Sequence, residues 1–282
     1  MQPNIYHEIY SRADLCRRFE EEAYRRIESK DITIPTYLSA GQEYISASIA
    51  VAIEARQIAD RQIFIQHRGH STYLSFGGSL DGLVKELLGH KDGCANGMGG
   101  SASIHSLEAN IFGHDGLMGS HGPIAVGMAY ANRKPTICFT GDAAAEEDYF
   151  LAAIAWAATK KLPIIFVVED NNLSILTEKK VRRSWEMDEV ARGFGMKAFN
   201  LEDDPDEICS CLDAVDPLFC EPLLLNVRTN RMYWHAGAGI DSDEIFDRHD
   251  WVGDKLDQNF RDEIRAKNEE IVGSVWQRNL SH

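Results

Sequence analysis

The sequence predicts an α/β protein, with a doubly wound, mostly parallel sheet and helices on both faces in a single domain. Three observations predict it. Near-continuous apolar runs, such as Thr136-Ile137-Cys138-Phe139-Thr140 and Leu162-Pro163-Ile164-Ile165-Phe166-Val167-Val168, read as strands buried on both sides. Segments with helical spacing alternate with them. Between Gly141 and Leu176 the two kinds of segment complete a strand–helix–strand unit, which implies parallel strands.

The elements follow in order. Ile5 to Ser29 reads as a helix with Ile5, Ile9, Leu15, Phe19, Ala23 and Ile27 apolar. Its Glu20-Glu21-Glu22 and Arg25-Arg26 give i,i+4 charge pairs expected on a solvated face. Asp31 to Thr36 is a connector, and a second helix runs from Gly41-Gln42-Glu43 to Arg56. Ile63-Phe64-Ile65 is a short strand ending at Gln66-His67-Arg68-Gly69-His70, and Leu80 to Leu88 is a helix. Gly93 to Gly127 is too rich in glycine for regular structure throughout, and such loops serve where backbone approaches a ligand closely. Pro123 to Asn132 is a helix leading into the strand before Gly141. Ala143 to Lys161 is an Ala-rich helix, stopped before Pro163. Beyond Asn172 come a helix from Met187 to Phe194, a strand from Lys197 to Leu201, a helix from Pro205 to Val215 with proline in its first turn, and a buried strand at Leu223–Val227. A Gly-broken loop around His235 and a helix from Asp257 to Trp276 close the chain.

Composition narrows the function classes. A net charge of −15 argues against nucleic acid as a partner, because phosphate binding needs a basic face. No apolar run approaches a membrane span, and the N-terminus lacks the pattern of a secretory signal, so a cytoplasmic protein is expected. The scattered cysteines read as small apolar residues rather than a disulfide framework.

The candidate chemistry lies at strand ends. Asp142 and Asn171 fall just past the carboxyl ends of adjacent predicted strands, where open α/β sheets bind ligands. A carboxylate and a carboxamide together suit Mg²⁺ or Ca²⁺, with a phosphate completing the shell. The competing reading is a turn or helix cap. His67, Arg68 and His70 end another strand, and Arg231 and His235 follow the last one. Each set joins an anion-binding cation to an imidazole. His105, His114 and His121 lie in the Gly-rich segment, either contributing to a site or exposed. No Walker A motif or GxGxxG after a strand is present.

These residues resemble a known family. Gly141-Asp142…Asp170-Asn171 resembles the thiamine-diphosphate signature GDG…NN. Gly41-Gln42-Glu43 resembles GQE, His67-Arg68-Gly69-His70 resembles YRxH, and Gly97-Met98-Gly99-Gly100-Ser101 resembles GxGGS. Gly116-Leu117-Met118-Gly119 resembles GIVG, and Thr229-Asn230-Arg231 with His235 and Gly237 resembles TYR…HxG. Together, in order over residues 5–255, these pieces are similar to the α subunit of 2-oxo acid dehydrogenase E1 components. The resemblance implies that Asp142, Asn171 and the Leu173 carbonyl hold Mg²⁺, which grips the cofactor diphosphate. It implies diphosphate contacts from Arg68 and Arg231, with His67 at the position of the usual tyrosine. Gly141 and Ala143 would flank the metal ligand, Gly116 and Met118 would meet the aminopyrimidine, and Ile175 would be the wedge that bends the cofactor. His70 and His235 would line the substrate channel and act catalytically.

The sequence departs from the family's pattern at several points. The signature's second glycine is Ala143, expected to crowd a tight turn slightly, and its first asparagine is Asp170. Asn172 leaves the metal ligand open by one residue, and the tyrosine before Arg231 is Asn230. The expected division is residues 1–36 as an N-terminal helix and connector making oligomer contacts, 37–240 as the thiamine-diphosphate-binding domain, and 241–282 as a C-terminal helical tail. The resemblance implies an oxidoreductase subunit that cleaves the bond beside a carbonyl of a 2-oxo acid or acyloin and passes on the acyl or aldehyde unit. The essential glutamate would come from a separate β subunit, in an α₂β₂ heterotetramer, since this chain has no room for a second domain. The alternatives are the N-terminal half of a split transketolase-like enzyme, or a scaffold that keeps the fold without the cofactor.

Overall fold

The computed structural model describes residues 3–240 and 245–280. Six parallel strands form one sheet in the order β2-β1-β3-β4-β8-β7. They are β1 (Gln62–Phe64), β2 (Ile111–Phe112), β3 (Thr136–Gly141), β4 (Ile164–Asp170), β7 (Lys197–Glu202) and β8 (Leu223–Arg228). A two-stranded hairpin, β5 (Leu173–Ser174) and β6 (Thr177–Glu178), interrupts them after β4. The helices are α1 (Pro3–Glu28), α2 (Glu43–Ala55), α3 (His70–Ser75), α4 (Leu80–Leu87), α5 (His121–Asn132), α6 (Asp148–Lys160), α7 (Lys179–Arg182), α8 (Met187–Gly193), α9 (Pro205–Ala214), α10 (Arg248–Gly253) and α11 (Gln258–Leu280).

The strand sequences build both cores at once. Ile137, Phe139, Ile165, Val167, Leu225 and Val227 point into the larger core, with α1, α2 and α11. The alternate residues Cys138, Phe166, Val168 and Leu224 point into the second, with α5, α6 and α8. This period of two explains why the strands carry no polar face: both sides are covered. Gly122 brings α5 onto α6, since a Cβ there would lie 2.4 Å from the Phe150 ring. At α9, Pro205 takes the first turn and the Asp204 side chain accepts from the Asp206 N–H at 2.9 Å.

Chain order sets the site. From β1 the chain moves outward to β2, then returns across β1 to β3. This reversal lies between β1 and β3, and a doubly wound sheet opens a crevice at the carboxyl ends there. In register, Gly141 of β3 faces Glu169 of β4, so Asp142 and Asn171 emerge side by side.

Several sequence expectations are corrected. Glu20 is not solvated but buried, at 1% exposure, while Glu22 does pair with Arg26 on the outer side. The helix expected from Ala143 begins only at Asp148, after a 3₁₀ turn at Ala144–Glu146. Ala143 itself sits at φ −73°, ψ −38°, an ordinary helical conformation, so the turn does not need glycine's backbone freedom there. The Gly-rich segment contains β2, and α5 starts two residues before Pro123. The N-terminal helix is part of the main core, through Ile9, Phe19 and Ala23. The expected boundary after residue 240 falls beside residues 241–244, which lie outside the described residues.

Candidate functional site

A cavity of about 570 Å³ opens at the crevice, lined by groups from the ends of β1, β3, β4 and β8. That volume is in the range of small-molecule sites. Gln66, His67 and Arg68 follow β1. Gly141, Asp142 and Ala143 end β3, Asn171, Leu173 and Ile175 follow β4, and His235 comes from the loop after β8. The structure thus brings together most of the residues picked out in the sequence.

Each side chain is held by neighbours. Asp142 is 2% exposed and ion-paired with Arg182, while Arg183 donates to its backbone carbonyl at 3.2 Å. Burial pushes the Asp142 carboxyl up to about 6, Asp170 adds to the rise and Arg182 opposes it. The Asn171 amide nitrogen donates to Gln42 Oε1 at 3.0 Å, which turns its oxygen to the other side, where it accepts from the Leu173 N–H at 3.1 Å. Asn172 points elsewhere: it is exposed, and its oxygen accepts from the Lys179 N–H. Asp170 stays in the strand. Burial alone would raise its carboxyl, but bonds from Lys179 Nζ at 2.7 Å and Asn226 at 3.2 Å hold it below the usual range. Beside it, burial lifts Glu169 to about 7 against a hydrogen bond from Gln66.

The cationic side is equally ordered. Arg68 donates to the Leu38 carbonyl at 2.8 Å and to the His235 carbonyl at 3.1 Å. Nδ1 of His235 lies 3.3 Å from Arg68 and 3.5 Å from Arg231. Two guanidinium donors at Nδ1 assign the ring proton to Nε2. The His67 ring meets those of Tyr37, His114 and His235, and its Nε2 is buried without a hydrogen-bond partner. Burial, then the charge of Arg68, holds His67 well below the usual imidazole range.

Not every expected residue lines the cavity. His70 is wholly buried behind it. Arg231 stands back, its guanidinium holding the Ile175 carbonyl at 2.9 Å. Gly116 is exposed at φ +103°, outside the cavity wall, whereas Met118 lines it. Ile175 is at the hairpin tip with φ +54°, an unusual conformation for a β-branched residue, and 57% exposed.

A sequence model of the dehydrogenase E1 component family matches residues 11–246. The chain belongs to that family. It is similar to the pyruvate dehydrogenase E1 component subunit alpha of Rickettsia felis, 31% identical over 234 residues that cover 79% of this chain and 70% of that protein. The same subunit of Rhizobium meliloti is 30% identical over 195 residues, covering 67% and 55%. The mitochondrial subunit alpha-1 of Oryza sativa subsp. japonica is 34% identical over 168 residues, covering 58% and 42%. The matched stretch therefore spans about half the length of those last two relatives. Among solved structures, a transketolase from Campylobacter jejuni superposes on the whole chain with a TM-score of 0.59, at 15% identity and over 49% of its own length. That likeness shows the fold, and the family resemblance read from the motifs is borne out. Among the described residues, no helix is long and apolar enough to cross a membrane.

For this member of the E1 family, sequence reasoning missed Arg182, Glu146 and Tyr37, all in the cavity wall. Arg182 and Glu146 lie far apart in the sequence, and only the tertiary fold brings them together beside Asp142. His121, at the start of α5, donates its Nε2–H to the Phe139 carbonyl at 2.8 Å, and burial pulls it down to about 4. The native state then binds fewer protons at His121 than the unfolded chain between pH 4 and 6.5. Stability should fall as pH drops through that window, by about 3 kcal/mol in all. His121→Gln should flatten this part of the pH–stability curve in urea titrations. An unchanged slope would count against it.

Proposed function

We propose that the chain is the α subunit of a thiamine-diphosphate- and Mg²⁺-dependent enzyme. It cleaves the bond beside a carbonyl of a 2-oxo acid or acyloin and transfers the acyl or aldehyde unit, with a β subunit in an α₂β₂ assembly in the cytoplasm. The observation that carries this reading is the meeting of Asp142, Asn171 and Leu173 with Arg68 and His67 in one switch-point cavity, on a chain of this family.

The residues fit the group. A buried carboxylate, a carboxamide oxygen oriented by Gln42 and a backbone carbonyl are hard donors for Mg²⁺. The unpartnered buried Nε2 of His67 and the Arg68 guanidinium offer donors to diphosphate oxygens. Thiamine diphosphate, when bound, supplies the carbanion and electron sink. The chain's part is to orient and to hold protons. Arg68 and Arg231 fix the His235 ring so that Nε2–H is the donor, and Ile175, pinned by Arg231, presents an apolar side chain to the cavity. Arg182 pairs with one Asp142 oxygen, Oδ2, and would compete with a metal for it.

The test is calorimetry of the purified chain with its β partner, titrated with thiamine diphosphate with and without Mg²⁺. Binding that needs Mg²⁺ is expected, and a folded complex that binds nothing would overturn the reading. Product analysis with sugar phosphates against 2-oxo acids separates it from a transketolase-like activity.

A further inference from the structure

A carboxylate, an imidazole and a hydroxyl lie in line behind the cavity, with no place in the chemistry above. Glu20 of α1, His70 of α3 and Ser101 of the Gly-rich segment are 1%, 0% and 1% exposed. Glu20 Oε1 lies 3.1 Å from His70 Nδ1, and His70 Nε2 lies 2.8 Å from Ser101 Oγ. Such a triad would be read as nucleophilic if the Ser101 hydroxyl were open to a ligand, but Ser101 is 1% exposed and its Oγ is held between the Tyr37 N–H and His70 Nε2.

Its ends show what it does. Ser101 Oγ accepts from the Tyr37 N–H at 2.8 Å. Glu20 Oε1 accepts from both the N–H and the hydroxyl of Ser39, at 3.0 and 2.5 Å. Ser39 is braced in turn by Ser71, with the two hydroxyls 2.6 Å apart. Donors and acceptors match in one direction only. Tyr37 N–H gives to Ser101, Ser101 O–H to His70 Nε2, and His70 Nδ1–H to Glu20, which leaves no donor in the series unmatched.

Of the three residues between the anchors, Tyr37 lines the cavity, and Leu38 and Ser39 are buried beside it. The Tyr37 ring stands edge-on to His67 at 4.9 Å and to His235 at 5.5 Å. The Leu38 carbonyl holds the Arg68 guanidinium. Ser39 is the anchored end. We propose that Glu20, His70 and Ser101 are positioning residues: a buried relay that clamps both ends of Tyr37–Ser39 and so sets the His67, Arg68 and His235 face of the site. A buried carboxylate is costly unless fully hydrogen-bonded, and here its bonds go to Ser39 directly and, through His70 and Ser101, to Tyr37.

The decisive measurement is histidine-ring NMR of the full chain without cofactor, with the His67 and His235 signals assigned by substitution. Ring currents from Tyr37 place those signals, and Tyr37→Leu defines where they go without the ring. Ser101→Ala and Glu20→Gln should each move both signals toward the Tyr37→Leu positions, and Ser101→Thr, which keeps the hydroxyl, should restore them. If the His70 signal alone responds in Ser101→Ala, the relay does not set the wall and the proposal falls. Should Glu20→Gln fail to fold, Ser101→Ala with its Thr rescue decides the matter. The inference rests on the proposed function only for its last consequence, that Ser101→Ala weakens thiamine diphosphate about tenfold in the assembled complex, as expected when supporting bonds are lost. A wild-type complex that binds no cofactor would sink the function and leave the NMR result to judge the relay.

Discussion

Asp142→Ala should abolish Mg²⁺-dependent binding of thiamine diphosphate in the assembled complex, and activity with it. Asp142 is the charged member of the proposed donor set, and Asn171 and the Leu173 carbonyl bring no charge. Loss of a residue that merely supports a metal ligand costs about 10–100-fold in affinity, so loss of the charged ligand itself should exceed roughly 100-fold. The fold should survive. Burial already raises the Asp142 carboxyl to about 6, which means the native state holds this charge at a cost. Its ion-pair partner Arg182 keeps a second carboxylate, Glu146 Oε1 at 2.5 Å. The check is paired calorimetry and thermal denaturation. Tight binding retained by Asp142→Ala would move the metal elsewhere and favour a scaffold that has kept the fold for another purpose.

The largest effect on stability is expected at Glu86, far from that chemistry. Its side chain is wholly buried at the end of α4, and its two oxygens accept four backbone N–H groups from the Gly-rich segment. They are those of Ala95 and Gly97 at 2.7 and 2.9 Å, and of Gly99 and Gly100 at 2.8 and 3.0 Å. This nest of backbone donors, of the kind that binds anions, is filled by the protein's own carboxylate. Glycine is required for it: at Gly97, φ is +70° and a Cβ would lie 2.6 Å from the carbonyl oxygens of Gly89 and His90. Glu86→Ala leaves four donors without their acceptor, a loss of about 3–5 kcal/mol. The melting temperature should drop by roughly 10 °C. Glu86→Gln, which keeps one acceptor oxygen, should lose less. Hydrogen exchange over residues 93–101 should accelerate in step with the stability change, and slow exchange there in Glu86→Ala would refute the account.

These two residues also show what could be read from the chain and what could not. The strand–helix–strand frame was legible because strands buried on both faces have no polar face, so their apolar runs stand out. The ends of those strands pointed to Asp142, Asn171, Arg68 and His235 because the ends of a parallel sheet share one rim. Glu86 and Glu20 were illegible for the opposite reason. A carboxylate on a helix looks solvated unless its partners are known, and here they arrive from segments distant in sequence. The Glu20 chain joins α1 to residues 39, 70 and 101. Arg182 escaped notice likewise, since its hold on Asp142 exists only once the hairpin folds back over β3.

The hairpin tip carries a lesson for anyone who would engineer this protein. Ile175 occupies left-handed backbone, where glycine or asparagine would sit at ease, and its carbonyl is tied to Arg231. A search guided by thermal robustness alone would be drawn to that position, because relief of such strain is worth on the order of 1 kcal/mol. Yet the same exchange strips the apolar Ile175 side chain that the tip offers to the cavity. Under the proposed function, selection for durability and selection for turnover would pull residue 175 in opposite directions, and a library diversified there should separate into hardy, inert variants and fragile, active ones.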